Sequence, residues 1–183
     1  VTPVTTIERD FPANALPVLD VPNPVTEQRG EMAQSGMNAA VESEKNETAR
    51  IEKYMELSSK EVAMICTTDM ATEYHIHPLL KIYINKEEVI VPANTGITNN
   101  CMNSIHTHEE PHVLHVEAPV QKDFTLGDFF AVWGQPFDSE HLVDFVADKK
   151  GEIAMTVNGV VVDTFENTIL KDGDKIVVEA RDL

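Results

Sequence analysis

The Asn158-Gly159 pair constrains the fold of this chain most strongly. It lies between alternating apolar residues that run from Ile153 to Val162. Asn and Gly accept the positive φ angles that a two-residue hairpin turn requires, so this pattern predicts two antiparallel strands. A further strand is predicted from Lys175 to Ala180, after the turn at Asp172-Gly173-Asp174.

Short apolar stretches upstream predict more strands and one helix. The predicted strands are Val62 to Ile65, Leu80 to Ile84, Val89 to Val91 and Val113 to Glu117. A helix is predicted from Thr125 to Trp133, capped by Thr125 or Asp123 and ended by Gly134. Its core face carries Leu126, Phe129, Phe130 and Trp133. The elements together predict an α+β fold, with a small mixed β-sheet packed against one short helix.

Two segments precede the predicted sheet. Residues 1–26 contain half of the ten prolines and predict an extended tail. Residues 27–60 are polar and rich in helix formers, and they predict one long helix or two short ones with a thin apolar face. The predicted organisation is therefore a tail at 1–26, a polar helical segment at 27–60 and an α+β domain at 61–183.

The chain is strongly acidic, with a formal net charge of −17 over 183 residues. Nucleic acids and anionic lipids are bound through clustered Lys and Arg, so both are excluded as electrostatic partners, whereas cations remain. No apolar run approaches the roughly 18 residues of a membrane-spanning helix. Because the chain begins at Val1 without Met, we expect a processed or trimmed chain from which any export signal or anchor has been removed.

Histidines carry the main functional signal. All but one of the seven lie between His75 and His115, and four of these form two His-x-His pairs. Side chains two residues apart in a strand point to the same face, so both imidazoles of a pair can reach one ion. The alternation around His115 puts its ring opposite the apolar neighbours. The predicted metal ligands are His75, His77, His106, His108 and His115.

Imidazole is a ligand that suits Cu²⁺ and Zn²⁺, whereas Ca²⁺ and Mg²⁺ prefer oxygen. The sequence therefore predicts a copper or zinc ion. His112 is a candidate additional ligand, and Glu109 and Glu117 are candidates to bond the second nitrogen of a ligand. His141 lies outside the cluster, and we interpret it as a surface histidine.

The two cysteines, Cys66 and Cys101, lack the Cys-x-x-Cys spacing of thiolate zinc or redox sites. One disulfide and two buried free thiols fit the cysteine count equally well.

Several motifs resemble a little-characterised family of small extracytoplasmic archaeal and bacterial proteins to which a metal site is ascribed. The matching segments, within residues 66–183, are Tyr74 to Ile84, Val91-Pro92-Ala93-Asn94-Thr95-Gly96-Ile97, Cys101, Ile105-His106-Thr107-His108, Leu114-His115-Val116-Glu117 and Phe124 to Gly134. The resemblance implies a location outside the cytoplasm, whether secreted, periplasmic or membrane-anchored, and an oxidising location favours a Cys66–Cys101 disulfide. The run from Val157 to Ile176 also resembles the last part of β-grasp domains, which implies a β-grasp-like sheet.

The chain departs from that family at three places. Leu79 stands where a histidine is expected, so a ligand is absent there. Glu109 and His112 stand where Asp and Gly usually follow the His-Thr-His triplet, which alters or adds a ligand. The cysteines expected after the Trp-Gly pair are missing.

Three functions fit these features. The first, which we favour, is an extracytoplasmic copper or zinc binding protein that captures, buffers or delivers the ion, with a metal-acceptor or membrane-associated protein as partner. The second is a metalloenzyme whose three-histidine site activates water for hydration or hydrolysis, or supports superoxide chemistry. The third is an interaction module that holds a structural metal. Homo-oligomer formation through the N-terminal helix stays open.

Overall fold

The computed structural model describes residues 34–68, 72–148 and 150–183. The predicted proline-rich tail at 1–26 and the first part of the polar segment, 27–33, lie outside these ranges. The helices are α1 (Gln34–Glu56), α2 (Ser59–Met64) and α3 (Leu126–Trp133), and a 3-10 turn spans Phe165–Asn167. Within the described ranges, no helix combines the length and the apolar character needed to cross a bilayer.

The strands are short and occur on both sides of α3. In chain order they are β1 (Cys66–Thr67), β2 (Tyr74–Ile76), β3 (Leu79–Ile84), β4 (Glu87–Val89), β5 (Met102–Asn103), β6 (Ile105–His106), β7 (His115–Ala118), β8 (His141–Leu142), β9 (Phe145–Val146), β10 (Gly151–Val157), β11 (Val160–Val162) and β12 (Lys175–Asp182). The predicted strands at 80–84, 89–91, 113–117, 153–162 and 175–180 all have counterparts here, with bounds shifted by a few residues.

The main sheet has five strands in the order β11-β10-β12-β3-β4. β12 pairs with β3 in parallel, whereas all other neighbours in this sheet are antiparallel. The strand β12 therefore lies between two hairpins, β3-β4 and β10-β11, and α3 lies between these hairpins in sequence. The α+β class is confirmed, and so is the mixed sheet packed with one short helix.

Both hairpins of the main sheet turn on two residues with positive φ. Asn158 and Gly159 have φ angles of 54° and 81°, as the Asn-Gly pattern predicts. Asn85 and Lys86, at 52° and 70°, make the other turn, which is two residues shorter than the predicted loop that ends at Glu88. Lys86 carries no sequence signal for a positive φ, and β3 and β4 impose it by their pairing.

The predicted helix α3 is confirmed, and Thr125 rather than Asp123 caps it. The Thr125 hydroxyl accepts the N–H of Asp128, while the Asp128 carboxylate accepts the N–H of Thr125 at 2.9 Å. Gly134 ends the helix in the left-handed conformation. The predicted core face is buried, and its members are Leu126, Phe129, Phe130 and Trp133.

The predicted strand at Val62 to Ile65 is wrong, because most of it belongs to α2. Ser58 accepts the N–H of Glu61 at 3.2 Å, and the Glu61 carboxylate accepts the N–H of Ser58 at 2.8 Å. This reciprocal cap satisfies two N–H groups at the helix start and outweighs the β preference of Val62. Val62 and Ala63 are fully buried, so α2 belongs to the core of the domain.

Cys66 and Cys101 form a disulfide that closes a sequence separation of 35 residues. The bridge lies beside the pairing of β1 with β5, in which Cys66 is opposite Asn103. The disulfide favoured by the family resemblance is therefore present.

We expect a Cys66→Ala/Cys101→Ala variant to lose about 2–4 kcal/mol of unfolding free energy, because its unfolded chain is no longer restricted by the loop. Urea unfolding of the oxidised protein and the variant measures the difference. Reduced wild-type protein is the matched control and should resemble the variant. An unchanged midpoint in both would contradict the expectation.

Candidate metal centre

The candidate centre is built on a three-stranded antiparallel sheet in the order β2-β7-β6. Its register places His106 opposite His115 and His75 opposite Glu117. Val116, between His115 and Glu117, is fully buried in the core. Because side chains alternate along a strand, His115 and Glu117 face away from that core.

This three-stranded sheet, β2-β7-β6, continues directly into the main sheet. The N–H of Leu80, in β3, donates to the carbonyl of His112 at 2.8 Å, and the N–H of Leu114 donates to the carbonyl of Pro78 at 2.9 Å. Leu79 makes an antiparallel bridge with Val113. These contacts fix the strands that carry His75 and His115 against the five-stranded sheet.

The loop at 92–97 covers His106. The N–H of Thr107 donates to the carbonyl of Thr95 at 3.0 Å, which holds the loop against β6. Gly96 has a φ of 78°, and a Cβ there would lie 2.6 Å from the Ile105 carbonyl oxygen and 3.2 Å from the His106 Cβ. Only glycine permits this approach. His106 is consequently fully buried.

His106 has one satisfied and one unsatisfied ring nitrogen. Its Nδ1 lies 3.0 Å from the Asn103 carbonyl oxygen, which accepts only, so Nδ1 carries the proton and donates. Its Nε2 then presents a lone pair, and this buried atom has no hydrogen-bond partner among the described residues. Burial lowers the pKa of His106 to about 4, although the Asn103 hydrogen bond opposes this shift. The ring is therefore neutral near pH 7 and ready to bind a metal.

His115 is the ring that the other four approach. The ring centroids of His108 and His77 lie 4.6 and 4.7 Å from that of His115, and both meet it nearly edge-on. The His106 ring stacks on His115 at 5.5 Å, and the His75 ring is 6.2 Å away. Burial lowers the pKa of His115, and the nearby His108 and His77 lower it further.

The first His-x-His pair is accessible and has acidic neighbours. The side chains of His75 and His77 are each 44% exposed. His75 Nε2 lies 3.0 Å from Glu117 Oε1, and the same oxygen is 3.9 Å from His115 Nδ1. His77 Nδ1 lies 3.8 Å from Asp172 Oδ1, which also accepts the backbone N–H of His77 at 2.8 Å.

Two sets of three histidines could each hold a metal ion. One set is His75, His77 and His115, and the other is His106, His108 and His115. In each set the donor atoms lie within 4.8 Å of one another. All five histidines predicted as ligands are thus brought together, with His115 common to both sets. Three neutral imidazoles are a donor set that suits Cu²⁺ or Zn²⁺.

The remaining candidates lie outside both sets. His112 Nε2 faces Glu88 Oε1 at 3.6 Å, and the exposed Glu109 borders a cleft beside His108. Glu117 contacts His75 and His115, which is the position expected for a residue that orients ligands. His141 Nδ1 lies 2.9 Å from Asp138 Oδ1, away from the cluster.

Two contacts of the centre were not predicted from the sequence. Asn103 acts through its backbone carbonyl, which any residue would provide, so its identity gives no signal. Asp172 reaches His77 from the turn before β12, and only the parallel pairing of β12 with β3 reveals that approach.

Comparison with models of protein families, with curated proteins and with solved structures gave no match. The resemblance to an extracytoplasmic metal-protein family stays a prediction.

We expect the metal-free protein to lose stability as the pH falls from about 6.5 to about 4. In this window the unfolded chain takes a proton on His106 that the folded protein excludes, so the unfolding free energy falls by on the order of 3 kcal/mol. Urea unfolding at several pH values in the presence of a chelator measures the slope.

In a His106→Gln variant the slope should flatten without disappearing, because the pKa of His115 is lowered as well. His112→Gln, outside both donor sets, is the control and should keep the wild-type slope. Equal slopes in His106→Gln and wild type would contradict the assignment.

Proposed function

We propose that this protein binds copper or zinc outside the cytoplasm and captures, buffers or delivers the ion. The observation that carries the proposal is the convergence of four histidine rings on His115, one of which, His106, directs a buried lone pair with no partner among the described residues. A buried nitrogen without a partner costs about 1–3 kcal/mol. A bond to a metal ion offsets that cost.

The exposure of the first pair supports exchange of the ion rather than a purely structural role. Structural zinc sites are closed, whereas sites that exchange or react keep a position open to solvent. His75 and His77 reach solvent on 44% of their side-chain surface. A metal-acceptor protein could therefore approach this side of the centre.

Two further features support the proposal, one for the location and one for metal capture. The Cys66–Cys101 disulfide is typical of proteins from oxidising compartments. The net charge of −17 attracts cations to the surface at low ionic strength, which favours capture of a dilute metal ion.

A metalloenzyme is the second candidate, and one observation favours it. A cleft of about 90 Å³ lies beside His108 and is bordered by Glu109, His112 and Leu114. A bound zinc ion would supply Lewis acidity for water activation, whereas a bound copper ion would supply the Cu²⁺/Cu⁺ couple that superoxide chemistry requires. Glu109 could accept a proton there. Turnover of carbon dioxide, an ester or superoxide by the metal-loaded protein, lost in Glu109→Gln, would favour this candidate over binding alone.

Titration of the untagged protein with Cu²⁺ or Zn²⁺ should show tight uptake. A His115→Ala variant removes the ligand common to both sets, so we expect its affinity to fall by at least about 100-fold. Calorimetry and elemental analysis after dialysis measure uptake. His141→Ala is the control and should bind as wild type. Absence of uptake by the wild type, or unchanged affinity in His115→Ala, would overturn the proposal.

The metal-free protein should stay folded. Its core, formed by α2, α3 and the main sheet, buries Phe129, Phe130 and Trp133 without help from a metal. Near-ultraviolet circular dichroism should keep its aromatic signal after chelation. Loss of that signal, restored by adding metal, would instead favour the interaction module with a structural metal.

A further inference from the structure

We propose that the centre is a relay for one ion with two positions. The ion enters at His75, His77 and His115, named here the outer set, and is then held at His106, His108 and His115, the inner set. The inference rests on the proposed metal-binding function and adds the order in which ligands exchange.

The donor geometry favours two positions over a single five-ligand site. Each set has its three donor atoms within 4.8 Å of one another. Among the described residues, no set within that distance combines members of the two His-x-His pairs. An ion therefore uses one pair or the other, and His115 is the ligand it can keep during the exchange.

The outer set has the properties of an entry position. Its two unshared rings are accessible, and Glu117 and Asp172 bring negative charge to them. The attraction speeds the arrival of a cation. The set is less pre-arranged for tight binding, however, because the side chains of His75 and His77 are each 44% exposed and keep more freedom than the fully buried His106.

The inner set has the properties of a retention position. His106 is fully buried and held by the Asn103 carbonyl, so its orientation is fixed before metal arrives. Its Nε2 has no other partner in the described part of the chain. Little conformational freedom remains to be lost on binding, and a pre-arranged ligand favours slow release.

Simultaneous occupation of both positions is disfavoured by charge. Two dications that both used His115 would either compete for one ring nitrogen or face each other across a single imidazole ring, which cannot give both nitrogens to metal without losing its proton. Glu117, whose Oε1 lies 3.9 Å from His115 Nδ1, offsets only part of the repulsion between two such ions, because it brings one negative charge against two dications. The two positions therefore alternate.

Two variants form a matched test. His77 and His108 are each a terminal member of a His-x-His pair, and their rings lie 4.7 and 4.6 Å from that of His115. Neither ring is buried, so His77→Ala and His108→Ala should both fold. The metal-free proteins are mixed with Cu²⁺ in a stopped-flow instrument and followed by d–d absorption, and dissociation is then driven by excess chelator.

His77→Ala should slow Cu²⁺ association and dissociation alike, each by about tenfold, and leave Kd within about twofold of wild type, because the ligands that finally hold the ion are unchanged. His108→Ala should speed dissociation by about tenfold and leave association unchanged, so that its Kd rises about tenfold. His141→Ala, outside both sets, should keep both rate constants. This separation of entry from retention would establish the relay.

Equal effects of His77→Ala and His108→Ala on both rate constants would overturn the relay and leave the metal-binding function standing. Two Cu²⁺ ions bound at once by the wild type would also overturn it. No Cu²⁺ uptake by the wild type is the distinct outcome that overturns the proposed function, and the relay with it.

Discussion

The candidate centre depends above all on the register of β6 against β7. Antiparallel pairing sets His106 directly opposite His115, with Ile105 and Val116 beside them in the core. A slip of one residue would turn every side chain of β6 to the other face. The fully buried Ile105 opposes that slip, because a slip would move its side chain out of the core and onto the face that carries His106. Hydrophobic burial on one face thus fixes the arrangement of nitrogen donors on the other.

The same region combines two requirements that usually conflict. A polar ring is buried under the 92–97 loop, yet one of its nitrogens has no partner in the described residues. Proteins normally avoid this because an unsatisfied buried polar atom is costly. Of the two ring nitrogens of His106, only Nε2 lacks a hydrogen bond to the described residues, because the Asn103 carbonyl accepts the proton of the other nitrogen. The free-energy cost of an unsatisfied buried polar group therefore arises at this one atom. A donor held in this way needs no reorientation before it binds a metal, whereas the accessible His75 is held by Glu117 instead.

Sequence patterns predicted the parts of this fold that depend on neighbouring residues. The Asn158-Gly159 turn and the Thr125 cap follow from local chemistry, and so does the pairing of His106 with His108 on one short segment. The Val62 to Ile65 segment was mispredicted because the Ser58–Glu61 cap lies before it and outweighs its β preference. Contacts over long sequence distances left no local signal. The approach of Asp172 to His77, and the sharing of His115 by two donor sets, depend on sheet order, which no window of the sequence contains.

The place of β12 has a consequence for the order of biogenesis. This last strand lies in the middle of the main sheet, and its preceding turn holds His77 through Asp172 Oδ1 and through the N–H of Gly173. Non-local pairings of this kind form late, after the intervening chain is available. A chain still being synthesised lacks β12, so neither β3 nor the adjoining His77 has its final support. The ribosome must therefore complete β12 before the first histidine pair acquires its final position, so an ion bound there as proposed would arrive only after this strand is made.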